Sequence, residues 1–352
     1  MGKALVRSFL AQSMRLTGML RSSEAAAQKQ LNILCYHRIL PAAEKAAYFC
    51  PDLVVTPEAF RSHCQTLAEF YQVLPLAEAV AVLKQTHAKE AGSSKTDSDK
   101  PVVALTFDDG YVDNLKFAAP ILAEFQQRAT FFVVSELMST DTPPWYDLVA
   151  RCVLDLAKRE EGCLADGSPA ELALGLTAVE MVEGAKAFSP EKRKLLAERL
   201  CARLGAAPQF AAQDLVMNAE QIRDLHQQGH EIGSHSVSHE ILPLLNDADL
   251  ELEIQQSKQQ LEAVTQQPIS SFCYPNGDFD QRCLDLVEKH GYQQAVTTLN
   301  GANQSTAAPF TLKRRFVHEE RLADGQGRAS ASLLRAQTSG LMDRLLRRGG
   351  QD

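Results

Sequence analysis

Compact apolar runs alternate with stretches of helical apolar spacing along most of the chain. Residues 31–36 (LNILCY), 101–107 (PVVALTF), 129–134 (ATFFVV), 230–234 (HEIGS), 269–274 (ISSFCY) and 294–298 (QAVTT) are each short enough for a buried strand. Residues 57–83, 115–125, 220–229, 250–264 and 280–290 carry apolar positions at helical intervals. Thr56 before Pro57 reads as an N-cap, and Gly229 and Gly291 as stops. Strand, helix, strand at this interval predicts right-handed parallel crossovers and an α/β fold. From about 145 to 217 the strand signal lapses and charged helix faces take over, which predicts a helical insertion. Residues 85–100 read as a solvated loop, and 332–348 as an arginine-rich peripheral helix after a polar stretch. No repeat of solenoid length is present.

At 352 residues, 45% of them apolar and 23% charged, the chain can bury a sizeable core, as two modest domains or one large α/β unit with insertions. Thirty-six basic against 44 acidic residues leave a net charge of -8, which argues against nucleic acid as a partner. Eight cysteines are scattered without a CxxC pair and read as reduced, packed thiols. No apolar run reaches the length of a membrane span.

The first 28 residues read as an amphipathic helix, with Lys3, Arg7, Arg15 and Arg21 and no acid before Glu24. Charges scattered through this segment differ from the unbroken apolar block of a secretory signal, so a cytoplasmic address is expected. Adsorption of residues 1–25 to an anionic membrane face is one reading, which would make the protein peripheral at the inner face. Docking on the protein's own core is the preferred one, because four basic residues are few for a stable anchor.

Candidate chemistry concentrates where expected strands end. Thr106-Phe107-Asp108-Asp109-Gly110 puts two adjacent acids at the C-terminal end of an apolar strand, the edge on which parallel α/β sheets and barrels build sites. Gly110 permits a turn that brings both carboxylates to one pocket. Ser234-His235-Ser236-Val237-Ser238-His239 follows another such strand. A helical turn there would place both imidazoles on one face, where with one carboxylate they could hold a metal. Zinc suits these ligands, with cobalt, nickel, manganese and iron as alternatives.

With TFDDG at 106–110 and HSVSH at 235–239, the chain resembles the NodB-like polysaccharide deacetylases, the family-four carbohydrate esterases. The resemblance spans roughly residues 33–317 outside the insertion. It implies a distorted (β/α) barrel with fewer than eight strands, here residues 29–320, followed by a C-terminal segment at 321–352. It also implies Asp109, His235 and His239 as metal ligands and Asp108 as the general base. The activity implied is removal of an N-acetyl or similar small acyl group from an amino sugar. A divalent cation lowers the pKa of bound water from about 15.7 towards 7, and a neighbouring carboxylate can then accept its proton. The tetrahedral oxyanion needs a backbone donor, for which the amide of Asn276 in Tyr274-Pro275-Asn276-Gly277 is the candidate. Tyr274, Pro275 and Tyr111 are the candidate substrate contacts. Trp145, Tyr146 and Phe131 are aromatic alternatives that could equally be core.

Two features depart from the family pattern. An arginine usually stands two residues before the proline and tethers the base, but position 273 is cysteine, so Arg314, then Arg315, is the substitute. The Leu-x-His that usually supplies the general acid is absent after residue 300. His318 in FVHEE matches poorly, whereas Cys35-Tyr36-His37-Arg38 resembles the poly-N-acetylglucosamine deacetylases, in which an N-terminal histidine takes that role, so His37 is preferred. The expected partner is an N-acetylated glycan or a lipid- or nucleotide-linked sugar precursor. A catalytically weak glycan-binding or scaffold protein on the same fold, or a metal-dependent hydrolase of phosphate or another amide, are the alternatives.

Overall fold

A computed structural model describes Ser13 and residues 18–89, 100–160 and 176–343. Seven parallel strands close into a ring: β1 (Gln30–Tyr36), β2 (Val102–Phe107), β3 (Thr130–Val133), β4 (Glu231–Ser234), β5 (Ser271–Cys273), β6 (Gln294–Asn300) and β7 (Leu312–Phe316). β1 pairs with both β2 and β7, which leaves the ring without an open edge. This is the distorted (β/α) barrel with fewer than eight strands. Continuous burial along β1, β2 and β3 reflects strands covered on both faces, by interior side chains and by outer helices.

Register decides which loops become neighbours. Tyr36 pairs with Phe107, so the β1 and β2 strands end level, and His37 and Asp108 open adjacent loops. Ser234 pairs with Phe272, which brings His235 level with Cys273. Beneath these loops Tyr36, Phe107 and Phe131 stack at 5.3 and 4.7 Å, so Phe131 belongs to the core.

Several boundaries differ from expectation. The helical run at 57–83 is two helices, Pro57–Phe70 and Leu76–Lys89, separated by a strand at Gln72–Leu74 that lies parallel to β2. Pro75 cannot continue a helix through this point, and the extended backbone at Tyr71 already ends the first one. Thr56 caps that helix as expected, its hydroxyl accepting from the Ala59 N–H. The second helix takes in residues 85–89 of the expected loop, and 90–99 lie outside the described residues. The 115–125 run begins as a π-helical turn, Asn114–Ala118, just before Pro120, which lacks the N–H an α-register needs.

β7 was not expected as a strand. Leu312-Lys313-Arg314-Arg315-Phe316 shows no apolar alternation, yet Arg314 is fully buried and Arg315 nearly so. Of the N-terminal amphipathic helix, Met19–Ala27 is described, and it docks on the protein itself. Leu20 packs with Ala336 and Leu341, and Glu24 pairs with Arg335. Residues 1–12 and 14–17, and so most of the proposed membrane-facing segment, lie outside the described residues. Of the expected C-terminal helix, Ala331–Thr338 is a helix, and 344–352 are outside the description. No described helix is long and apolar enough to cross a membrane.

Among the described residues, the insertion between β3 and β4 contains α1 (Trp145–Glu160), α2 (Ala178–Ala185) and α3 (Pro190–Leu204), which build their own apolar cluster around Val149, Cys152, Val182 and Leu200. Thr177 and Glu180 form a capping box on α2, and Ser189 before Pro190 caps α3.

His63 on the helix Pro57–Phe70 is 1% exposed, and Tyr36 Oη lies 3.3 Å from its Nδ1. Burial pushes its pKa down to about 4. Between pH 6.5 and 4 the unfolded chain therefore binds a proton that the folded chain refuses. This group's contribution is complete above pH 6.5 and is lost as pH falls, by about 3 kcal/mol at the lower end. Thermal unfolding should show this acid loss, and His63→Gln should flatten the profile. An unchanged profile would remove His63 as the source.

Candidate active site

β2 ends at Phe107, and the Asp108 N–H donates to the Tyr36 carbonyl at 3.0 Å, extending the ladder by one residue. The chain then turns through two left-handed residues, Asp109 at φ 73° and Gly110 at φ 75°. The turn breaks strand alternation, so both carboxylates line one cavity of about 250 Å³. A side chain at position 110 would also crowd Val133 at 3.1 Å.

The two histidines converge by a different route from the expected helical turn. Residues 235–239 form a loop in which Ser236 and His239 have φ of 64° and 61°. The Ser236 hydroxyl accepts from the His239 N–H, and Glu253, on α4 (Asp247–Thr265), accepts from the N–H groups of Val237 and Ser238 and from the Ser238 hydroxyl. The imidazoles lie at 84° to one another with centroids 4.7 Å apart. Their Nε2 atoms are 3.6 Å (His235) and 3.4 Å (His239) from Asp109 Oδ1.

Tetrahedral ligands at about 2.1 Å from a zinc-sized ion stand roughly 3.4 Å apart, so the spacing of Asp109, His235 and His239 fits a divalent cation. The chemistry of the donors agrees. His235 Nδ1 lies 2.8 Å from the Cys273 carbonyl, which fixes the tautomer that leaves Nε2 free towards Asp109. Burial lowers the pKa of both histidines and keeps them neutral. Burial, and then the charge of Asp108, push the Asp109 carboxyl up to about 8, with the Tyr146 hydroxyl opposing the rise. A carboxylate so short of positive charge between two neutral imidazoles is matched by a cation.

Asp108 has the opposite setting. Burial alone would raise its pKa, but the Arg314 guanidinium outweighs burial and holds the carboxyl well below the ordinary carboxylate range. The pair is bidentate, with Nη1 to Oδ1 at 2.7 Å and Nη2 to Oδ2 at 2.8 Å. Arg314 also donates from Nε to the Thr297 carbonyl. Cys273, where the family pattern has arginine, instead lies against the pair. Its sulfur is 3.3 Å from Arg314 Nη2 and 3.7 Å from Asp108 Oδ2, and Cys35 approaches the same oxygen at 3.6 Å. Arg315 is bound to Asn32 and Asp343 and does not reach the cavity.

His37 Nε2 lies 3.8 Å from Asp108 Oδ2, and its ring stacks on Phe316 at 5.7 Å. Burial pushes its pKa down to about 4 despite the neighbouring carboxylate. His318 sits at the Asp52 carbonyl and does not line the cavity.

Tyr274 and Asn276 line the cavity, whereas Pro275 and Tyr111 do not. Pro275 is buried behind the turn. Tyr111 is fully buried and spends its hydroxyl on Asp147, because the left-handed turn at 109–110 carries its ring beneath the insertion. Gly277 is required by φ 78° and by Thr298, whose side chain leaves no room for a Cβ.

The insertion supplies a wall that no motif announced. Val179, Val182, Glu183 and Lys186 line the cavity, with Phe49, Trp145 and Tyr146 on the same side. Lys186 Nζ donates to Asn276 Oδ1 at 2.8 Å, tying the insertion to the β5 loop. Glu253 was also missed, since its role rests on a loop conformation that spacing does not reveal.

Comparison with known proteins places this geometry. The polysaccharide deacetylase family model matches residues 95–161 and 201–295, which carry both TFDDG and HSVSH. The chain is thus similar to the NodB-like polysaccharide deacetylases over the stretches that carry the two acids and both histidines. A putative polysaccharide deacetylase of Bacillus subtilis, YxkH, is 24% identical over 286 residues, covering 81% of this chain and 70% of that protein. Among solved structures, the Streptococcus pyogenes deacetylase PplD in complex with acetate is similar at a TM-score of 0.56 and 20% identity, covering 85% of this chain and 96% of that one. IcaB from Ammonifex degensii is similar at 0.56 and 14%, covering 88% and 97%. These two likenesses show the shared barrel fold. His37 and Arg314 lie outside both stretches matched by the family model, so their place in the site rests on the distances above.

Proposed function

We propose that the protein is a metal-dependent deacetylase that removes an N-acetyl group from an amino sugar of a glycan or glycan precursor. The observation that carries this reading is the division of labour between adjacent acids. Asp109 faces two neutral imidazoles at ion-pair distance, while Asp108, locked by Arg314, lines the same cavity without an ion pair to either. A divalent cation bound by Asp109, His235 and His239 would supply Lewis acidity, polarising an amide carbonyl and lowering the pKa of water from about 15.7 towards 7. Zinc is the first ion to test, then cobalt, nickel, manganese and iron.

Asp108, ionised throughout the physiological range, accepts the proton of the attacking water, and Arg314 fixes the direction of its lone pairs. Its basicity is weak because of that pairing, so it acts on water already made acidic. The Asn276 N–H is the candidate donor to the oxyanion. His37, neutral at rest and next to Asp108, takes up the proton and delivers it to the departing amine, so the water's proton ends on nitrogen.

Metal-loaded protein should release acetate from N-acetylhexosamine oligomers, lipid-linked sugars or nucleotide sugars, and silence towards all three would leave a glycan-binding role instead. His37→Ala should lower kcat by about 10²-fold with metal content unchanged. Near-full turnover by that variant would exclude His37 as the proton donor.

A further inference from the structure

The loop after β5 turns through Tyr274-Pro275-Asn276-Gly277, and the Gly277 N–H closes it by donating to the Tyr274 carbonyl at 2.8 Å. Asn276, third of the four, has φ 58° and ψ -1°. Proline second and a left-handed residue third are the marks of a type II β-turn. Types I and II differ by a half-rotation of the central peptide, which here carries the Asn276 N–H. The sign of φ at Asn276 therefore decides which face of the turn presents that N–H.

Asparagine tolerates the left-handed region without preferring it, so support for the turn must come from its surroundings. Both ends of the Asn276 amide are held. Lys186 Nζ donates to Oδ1 at 2.8 Å, and Nδ2 donates to Asp278 Oδ2 at 2.6 Å. Asp278 belongs to the same loop and moves with it. Lys186 stands 90 positions away, directly after α2, and its Nζ also donates to Glu183 at 2.8 Å. The fixed reference for the turn is thus the insertion, and Lys186 lies between the two stretches matched by the family model.

The neighbouring N–H groups of the loop are engaged. Tyr274 donates to the Val296 carbonyl at 3.3 Å and Asp278 to the Pro275 carbonyl at 3.2 Å, whereas among the described residues no acceptor takes the Asn276 N–H. Asn276 and Lys186 both line the catalytic cavity.

We propose that Lys186 is a positioning residue for deacetylation. From the insertion it holds Asn276 left-handed, and so keeps the Asn276 N–H in the orientation that receives the oxyanion of the amide under attack. The inference rests on the deacetylase reading and gives the insertion a part in the chemistry beyond walling the cleft.

On N-acetylhexosamine oligomers, metal-loaded Lys186→Met should lose about tenfold in kcat with KM nearly unchanged, because the N–H is needed only once charge has developed on the oxygen. Lys186→Arg keeps a donor and should recover most of the rate. Asn276→Gly supplies a residue that adopts the left-handed conformation unaided, so adding Lys186→Met to it should cost nothing further. A lysine that touched the substrate would instead cost as much in that background as in the wild type. Equal losses in the two backgrounds, or an unaltered rate in Lys186→Met, overturn the proposal.

A second readout needs no turnover. In isotope-labelled, metal-loaded protein, acetate, the product of the proposed reaction, should move the Asn276 amide NMR resonance in the wild type and in Lys186→Arg but not in Lys186→Met. A resonance that ignores acetate in the wild type, or responds equally in Lys186→Met, overturns the role of Lys186. If the resonance behaves as expected while no saccharide yields acetate, positioning by Lys186 stands and the deacetylase reading falls.

Discussion

Arg314→Met is expected to destabilise the fold by about 3–5 kcal/mol, because it leaves the Asp108 carboxylate buried with no counter-charge. Both partners are almost fully buried, and the two oxygens of Asp108 are committed to the two guanidinium nitrogens. Neutralising both partners should behave differently. Asp108→Asn/Arg314→Met should recover part of the lost stability, since a neutral pair no longer carries an isolated charge, yet deacetylation should stay down by about 10²–10⁴, as it should in Asp108→Asn alone. Denaturant unfolding of the three variants, read beside initial rates, separates the two roles. A loss below about 1 kcal/mol for Arg314→Met would mean that the pair does not hold the barrel top together.

His235→Ala should have the largest effect on metal content. Altering a partner that merely orients a ligand typically costs about 10–100-fold in metal affinity, so removing a donor atom itself should exceed about 100-fold. Catalysis should disappear with the metal and return in part at saturating cation. His235 is suited to this test because its removal leaves the Asp108–Arg314 pair untouched, so stability should change far less than in Arg314→Met. Competition with a chromogenic chelator measures the affinity directly. Unaltered affinity in His235→Ala would dissolve the proposed Asp109–His235–His239 centre. A variant that keeps its metal but loses its rate would move His235 from ligand to substrate contact.

Much of this barrel was legible because buried parallel strands write themselves as short apolar runs. β1 to β6 all fall on such runs, and the residues just beyond them carry the chemistry. β7 was hidden because two arginines occupy it, each buried only by virtue of partners that come from distant parts of the chain. Arg314 finds Asp108 206 positions away, and Arg315 finds Asn32 283 positions away. The expected helical turn at 235–239 failed for a related reason. Four-residue spacing has the right period for a helix, but Glu253 satisfies the loop's N–H groups from another helix and so removes the need for one.

Tyr111 shows the same limit at one residue. It is a candidate substrate contact by sequence, but the left-handed turn sends it under α1 to meet Asp147. Conversely, Lys186 and Val182 reach the cavity from a segment with no motif at all.

Local sequence alone determined the strand ends, the paired acids, the paired histidines and the family they resemble, because each is set by neighbours within a few residues. Only the closed tertiary structure decided which arginine locks Asp108, which histidine stands beside it, and that the insertion walls the cleft. Those relations depend on strand register and on charges paired across the barrel, distances that no sequence interval encodes.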